Sequence, residues 1–149
     1  MTLLSCQQAL NYFAAFYARG PMLRYSKGAR GERELLNELH SRAYSVVRSA
    51  GSGVNSISPD IIAIKHGNGL AFECKAWDRS SLSIEPDKFD VLVEWESNTG
   101  MGTFVAWRMN REGWFFIKPS EMNKCEKSYT VTKSQAVAIG RRLESLLVE

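Results

Sequence analysis

The sequence predicts an α/β fold, a mixed β-sheet flanked by α-helices, and three patterns carry that expectation. Apolar residues recur at helical spacing over residues 28–43. Two β-like runs meet at the hairpin signal His66-Gly67-Asn68-Gly69, and a helical stretch at 86–98 separates them from two more. The predicted order is helix, three strands, helix, two or three strands, helix, in a chain of 149 residues that suits one domain.

Residues 1–21 stand apart as an extension. Leu3, Leu4, Leu10, Tyr12, Phe13, Phe16 and Tyr17 make a weakly helical stretch that Gly20-Pro21 stops. Two readings stay open: a packing or partner helix, or an extension ahead of a natural start at Met22. The main domain is residues 22–149. Ser26 is an N-cap candidate for a helix to Ala43, and YSVVRS (44–49) reads as a short strand. Residues 50–58 (AGSGVNSIS) read as a Gly/Ser loop. Pro59 leads into DIIAIK, and the hairpin returns the chain as LAFECKA (70–76). A serine-rich loop from Arg79 to Ser83 precedes the helix at 86–98. Strands follow at 102–109 and 113–118, then a short one near Tyr129 and a C-terminal helix from Lys133.

Composition excludes some classes. With 44% hydrophobic and 23% charged residues the chain is ordinary globular material. No apolar run approaches the roughly 18–20 residues that span a bilayer. No basic segment precedes the first apolar residues, so no signal peptide is expected and the protein is read as intracellular. Cys6, Cys74 and Cys125 are odd in number and widely spaced, which argues against a disulfide framework or a zinc knuckle. A net charge of +3 does not by itself separate a nucleic-acid binder from any basic enzyme.

Chemistry concentrates in a few residues. On a helical wheel from Glu32, Leu39 and Ala43 lie within about 20°, and Leu35, Leu36 and Ala29 within about 60°. Glu32 is therefore expected in the middle of the apolar stripe, where a carboxylate must be paired, protonated or bound to a cation. An edge-of-core Glu bridged to an Arg is the plainer alternative. Alternation along LAFECKA puts Glu73 and Lys75 on the face opposite Phe72 and Cys74. The hairpin brings Asp60 back toward Glu73. Two adjacent carboxylates repel unless a divalent cation lies between them, and oxygen ligands favour Mg²⁺, with Mn²⁺ as substitute. Lys75 is placed to orient a water or neutralise charge on phosphorus. Alone, E-x-K mostly marks a solvated strand face; the Pro59-Asp60 strand, the hairpin and Glu32 together favour a metal-dependent nuclease.

Basic residues add a surface. Lys27, Arg30 and Arg33 are read as lying in the first turns of a helix, where the dipole disfavours cations. A phosphate backbone would compensate, as Glu32 and Glu34 could locally. Arg48 precedes the loop Gly51-Ser52-Gly53, whose backbone amides could approach a phosphate or simply connect strands. Arg79, Ser80 and Ser81 form a second phosphate-compatible loop. Trp107, Trp114, Phe115 and Phe116 alternate as core or subunit contacts, Arg141-Arg142 reads as a solvated face of the last helix, and His40 and His66 receive no role.

The runs YSKGARGERELL, VVRSAGSG, SPDIIAI and AFECKAW, in this order, resemble the archaeal Holliday junction resolvases. The resemblance covers roughly Leu23 to the C-terminus and implies a restriction-endonuclease-like core. It implies that Glu32, Asp60 and Glu73 are metal-binding acids, Lys75 the catalytic lysine and Ser52 an active-site loop serine. It further implies that Arg33 and Arg48 contact DNA and that Trp95 lies at a homodimer contact. The expected partner is four-way junction DNA, cut by paired metal-dependent hydrolysis in recombination and repair. A sliding clamp or helicase partner is not readable from these residues. The alternatives are another nuclease of the superfamily, acting on damaged or methylated duplex, or a non-catalytic binder of DNA structure. Against the last, carboxylates beside a phosphate groove weaken binding unless a metal joins them.

Overall fold

The computed structural model describes residues 22–49 and 57–149, with side chains from Gly28 onward. The extension, Gly51 and Ser52 of the glycine loop, and the Lys27 side chain lie outside the described residues. Helix α1 (Met22–Ser41) begins upstream of the expected Ser26 cap and ends before Ala43. Ala43 instead takes a left-handed φ of 65°. Its N–H donates to His40 O and that of Tyr44 to Leu39 O, so the turn closes the helix two residues early.

The chain continues through β1 (Ser45–Arg48), β2 (Ile61–Lys65), β3 (Asn68–Ala76), β4 (Ser81–Ile84), α2 (Pro86–Thr99), β5 (Gly102–Met109) and β6 (Gly113–Ile117). Strands β7 (Asn123–Lys124) and β8 (Tyr129–Thr132) and helix α3 (Lys133–Ile139) follow. The main sheet has the order β1-β2-β3-β5-β6 and is mixed, because β3 and β5 run parallel while the other pairs are antiparallel. Helix α2 lies in the β3–β5 connection, as a parallel pair requires. The β2–β3 turn is tighter than the tetrapeptide suggested. His66 and Gly67 alone turn, at φ 49° and 78°, the signs of a two-residue primed turn.

One expectation fails between Arg79 and Ser83. Residues 81–84 form β4, which pairs with β8 in a second sheet ordered β4-β8-β7. Its alternation rests on two buried side chains, Leu82 and Ile84, set among serines that mimic a loop. The last helix is also corrected. It ends at Ile139 against a left-handed Gly140, so Arg141 and Arg142 are not on a helix face.

The two faces of the main sheet carry separate cores. Leu35 and Leu39 of α1 pack with Ile61, Ala63, Phe72, Phe104, Ala106 and Phe116. Across the sheet, Leu92 of α2 and the second sheet's Leu82, Ile84 and Val131 pack with Val105, Trp107 and Ile117. Alternation along β3 follows this division, with Phe72 and Cys74 toward α1 and Glu73 on the α2 side. Among the described residues no helix is long and apolar enough to cross a membrane.

Candidate active site

Asp60 occupies the position just before β2, where the β2–β3 ladder runs out. Its N–H still donates to Phe72 O at 2.9 Å, and its carbonyl accepts from Ser49 N–H at 2.8 Å. The carboxylate then takes over from the strand: Oδ2 accepts the Cys74 N–H at 2.8 Å. A β-ladder donor thus fixes the Asp60 side chain beside Glu73, the approach that the hairpin spacing predicts. Cys74 contributes this N–H, while its thiol belongs to the α1-side core and is pushed up by burial.

Glu73 is only 2% exposed. Burial, reinforced by the Asp60 carboxylate, pushes its pKa up to about 7, against the opposing pull of Lys88 and Lys75. Glu32 adds a smaller repulsion in the same direction. The Lys75 ammonium lies 3.9 Å from Glu73 Oε1, and the Lys88 ammonium 3.8 Å from the same oxygen.

Glu32 reaches the site from the other side of the sheet. Gly31 makes the approach, since a Cβ there would stand 3.3 Å from Ala76 Cβ at the end of β3. The buried line on α1 is Gly31, Leu35 and Leu39, so Glu32 stands on its flank, about 60° from the centre, and not in the middle as predicted. The stripe moves because Gly31 is buried against β3 while Leu36 and Ala29, on the other flank of Glu32, are only partly buried. Glu32 accepts from Arg48 Nε at 2.7 Å, the bridged arrangement set out as the plainer alternative. Among the described residues, no three acid, histidine or cysteine side chains converge closely enough to form a ready-made metal site. What the geometry provides is an Asp60–Glu73 pair with Glu32 at longer range.

The basic residues divide. Because α1 starts at Met22, Lys27, Arg30 and Arg33 lie beyond its first turn, and the dipole argument for them lapses. Arg30 and Arg33 are nonetheless exposed and make no ion pair among the described residues. Arg30 lines an open depression with Gly31, Glu34, Ala76, Asp78, Arg108 and Asn110. The Arg79 guanidinium lies 4.6 Å over the Trp77 ring. Trp95 on α2 is half-buried and donates from Nε1 to Ile57 O at 2.9 Å. Lys88 was missed. Its signal was a lysine just after the Pro86 start of α2, where a cation opposes the helix dipole.

The family model for archaeal Holliday junction resolvase (Hjc) matches residues 23–149. The chain belongs to this family. Among its relatives is the crossover junction endodeoxyribonuclease Hjc of Archaeoglobus fulgidus, 35% identical over 113 residues, 73% of this chain and 81% of that one. The protein of the same name from Methanocaldococcus jannaschii is 33% identical over 78% of this chain and 84% of that one. A solved structure of the A. fulgidus Hjc, described as a Holliday junction resolvase from a hyperthermophile, matches with a TM-score of 0.67 at 29% identity. It covers 75% of this chain and 88% of that chain. The mixed sheet with flanking helices is therefore the Hjc, restriction-endonuclease-like fold.

Proposed function

We propose that this Hjc-family chain is a crossover junction endodeoxyribonuclease that resolves four-way DNA junctions, with Mg²⁺ as its cofactor. The observation that carries the reading is the Asp60–Glu73 pair. A nearly inaccessible carboxylate beside a second one, with a pKa near 7, is held at a net cost that a cation would relieve. All the donors are oxygens, a set that suits Mg²⁺ or Mn²⁺. Asp60 and Glu73 would hold the ion, with Glu32 binding it directly or through its water ligands.

A bound ion supplies Lewis-acid polarisation of the phosphodiester and a lowered pKa for an attacking water. The chain's residues supply position. The Cys74 N–H holds Asp60 in orientation, so that carboxylate needs little reorganisation when loaded. Lys75, on the same strand and 3.9 Å from Glu73, would neutralise charge developing on phosphorus. Arg30, Arg33, Arg48 and Arg79, with Lys27, Gly51 and Ser52 from the sequence, would contact the phosphate backbone. Such contacts position DNA without specifying bases.

The functional unit is proposed to be a homodimer. Its support is a partly apolar depression beside α2, lined by Val91, Trp95 and Ile57, where Trp95 bonds to Ile57, itself 85% exposed. A two-fold dimer can place one site on each of two opposed junction strands. Trp95→Glu should weaken self-association; an unchanged dimer in sedimentation would remove Trp95 from the interface. The activity itself is tested by incubating the protein with a four-way junction and a matched linear duplex, each with Mg²⁺ or EDTA. Paired nicks in the junction alone, with Mg²⁺ only, are expected. Cutting of both DNAs would indicate a general nuclease, and tight junction binding without cutting under any divalent ion would defeat the catalytic reading.

A further inference from the structure

Glu73 has a second lysine that belongs to no motif. The Lys88 ammonium stands 3.8 Å from Glu73 Oε1, on the same oxygen that Lys75 approaches to 3.9 Å. That separation is a charge contact and not a formed hydrogen bond. Lys88 arrives on a different element, near the start of α2, where the helix dipole makes a cation unfavourable. Among the described residues Glu73 is its only ion-pair partner. The next residue pins this end of the helix: the Phe89 ring stacks on Tyr129 of β8 at 3.5 Å with planes 2° apart. The second sheet, of which the sequence shows only the strand near Tyr129, thereby fixes where Lys88 approaches Glu73.

An exposed lysine–glutamate contact would be worth little. Here the glutamate is 2% exposed and crowded by Asp60, while Lys88 keeps 22% of its side chain in solvent. A lysine stem can swing its ammonium away without disturbing the helix. We propose that Lys88 is a positioning residue that acts through Glu73, occupying the place of a divalent ion until one binds and then giving way to it. The inference rests on Glu73 being a metal ligand.

A competitor and a mere structural prop differ in sign. Removing a competing cation should tighten metal binding, whereas loosening Glu73 should weaken it. The experiment measures Mn²⁺ binding to the full chain, without DNA, by the electron paramagnetic resonance signal of free Mn²⁺. Lys88→Met should bind Mn²⁺ about fivefold more tightly than the unaltered protein, and Lys88→Arg should stay near it. Asp60→Asn should lose most Mn²⁺ binding. If Asp60→Asn loses binding while Lys88→Met leaves it unchanged or weaker, Lys88 is an ordinary ion pair and this inference alone falls. If Asp60→Asn binds Mn²⁺ as the unaltered protein does, the metal site is misplaced and both fall.

Discussion

Two of the carboxylates that face lysine or arginine across less than 4 Å, Glu121 and Glu73, behave in opposite ways. Glu121 meets Arg141 in a two-pronged contact, with bonds of 2.8 and 2.6 Å, and Arg141 also donates to Phe116 O at 3.0 Å. Those bonds pull Glu121 below the usual carboxylate range. Glu73 meets two ammonium groups at longer range, has a second carboxylate beside it, and is pushed up to about 7. The first arrangement is satisfied by the chain alone, since donors and acceptors match in number and direction. The second keeps a net cost, since burial and the neighbouring carboxylate outweigh the two ammonium groups. Perturbation of this kind is characteristic of functional sites, and the contrast supports the metal site proposed at Glu73.

The largest effect expected from breaking the second arrangement is on cleavage. Asp60→Asn and Glu73→Gln should each slow junction nicking by about 10³-fold or more, because each removes a proposed ligand to the ion that stabilises the transferring phosphoryl charge. Junction binding in EDTA should be unchanged or tighter, since a charge that repels phosphate has been removed. Cleavage retained by either variant would place the active site elsewhere.

The next effect is on stability, and its sign is opposite to that of most substitutions of buried residues. Glu73 has a usual value of 4.5 in the unfolded chain and about 7 in the folded one. Between those values the native state holds a proton that the unfolded state has lost. The group's contribution is therefore intact below pH 4.5, lost as pH rises to 7, and flat above. In EDTA, Glu73→Gln should be more stable than the unaltered protein at pH 8 by up to about 3 kcal/mol. The gain should vanish near pH 4.5, where both carry an uncharged group. Urea denaturation at the two pH values measures it, and a Gln variant no more stable at pH 8 would mean that Glu73 is comfortable as an anion.

The contrast between these two carboxylates was half legible beforehand. Strand alternation places Glu73 opposite Phe72, and a hairpin of known length places Asp60 beside it; both are local arguments with a period of two. Glu32 is expected too centrally, because an apolar wheel gives no weight to Gly31, whose missing side chain is what lets α1 approach β3. Lys88 and the Arg141–Glu121 clamp were hidden for another reason. Each joins elements through the second sheet or the C-terminal segment, and β4 conceals its two apolar positions among serines. Pairings at long sequence separation leave no period to read. Arg141 looked like a solvated charge because nothing in its neighbourhood announces that Glu121 and the Phe116 carbonyl await it.

The smallest effect tests the satisfied pair. Arg141→Met keeps much of the stem's packing and removes the donors to Glu121 and to the Phe116 carbonyl. It should cost about 1–2 kcal/mol at pH 7, discounted because both side chains keep some contact with water. The pH dependence runs opposite to that of Glu73. Glu121 is depressed in the folded state, so its pairing is present above the unfolded value of 4.5 and is lost as pH falls through the lower folded one. Acidification should therefore shrink the Arg141→Met penalty, leaving only the lost bond to the Phe116 carbonyl. Adding Mg²⁺ should leave the penalty unchanged, although the same ion should erase most of the Glu73→Gln advantage by stabilising the unaltered site. A penalty that moved with Mg²⁺ would tie the clamp to the catalytic centre, and the division between scaffold and site drawn from these two carboxylates would fail.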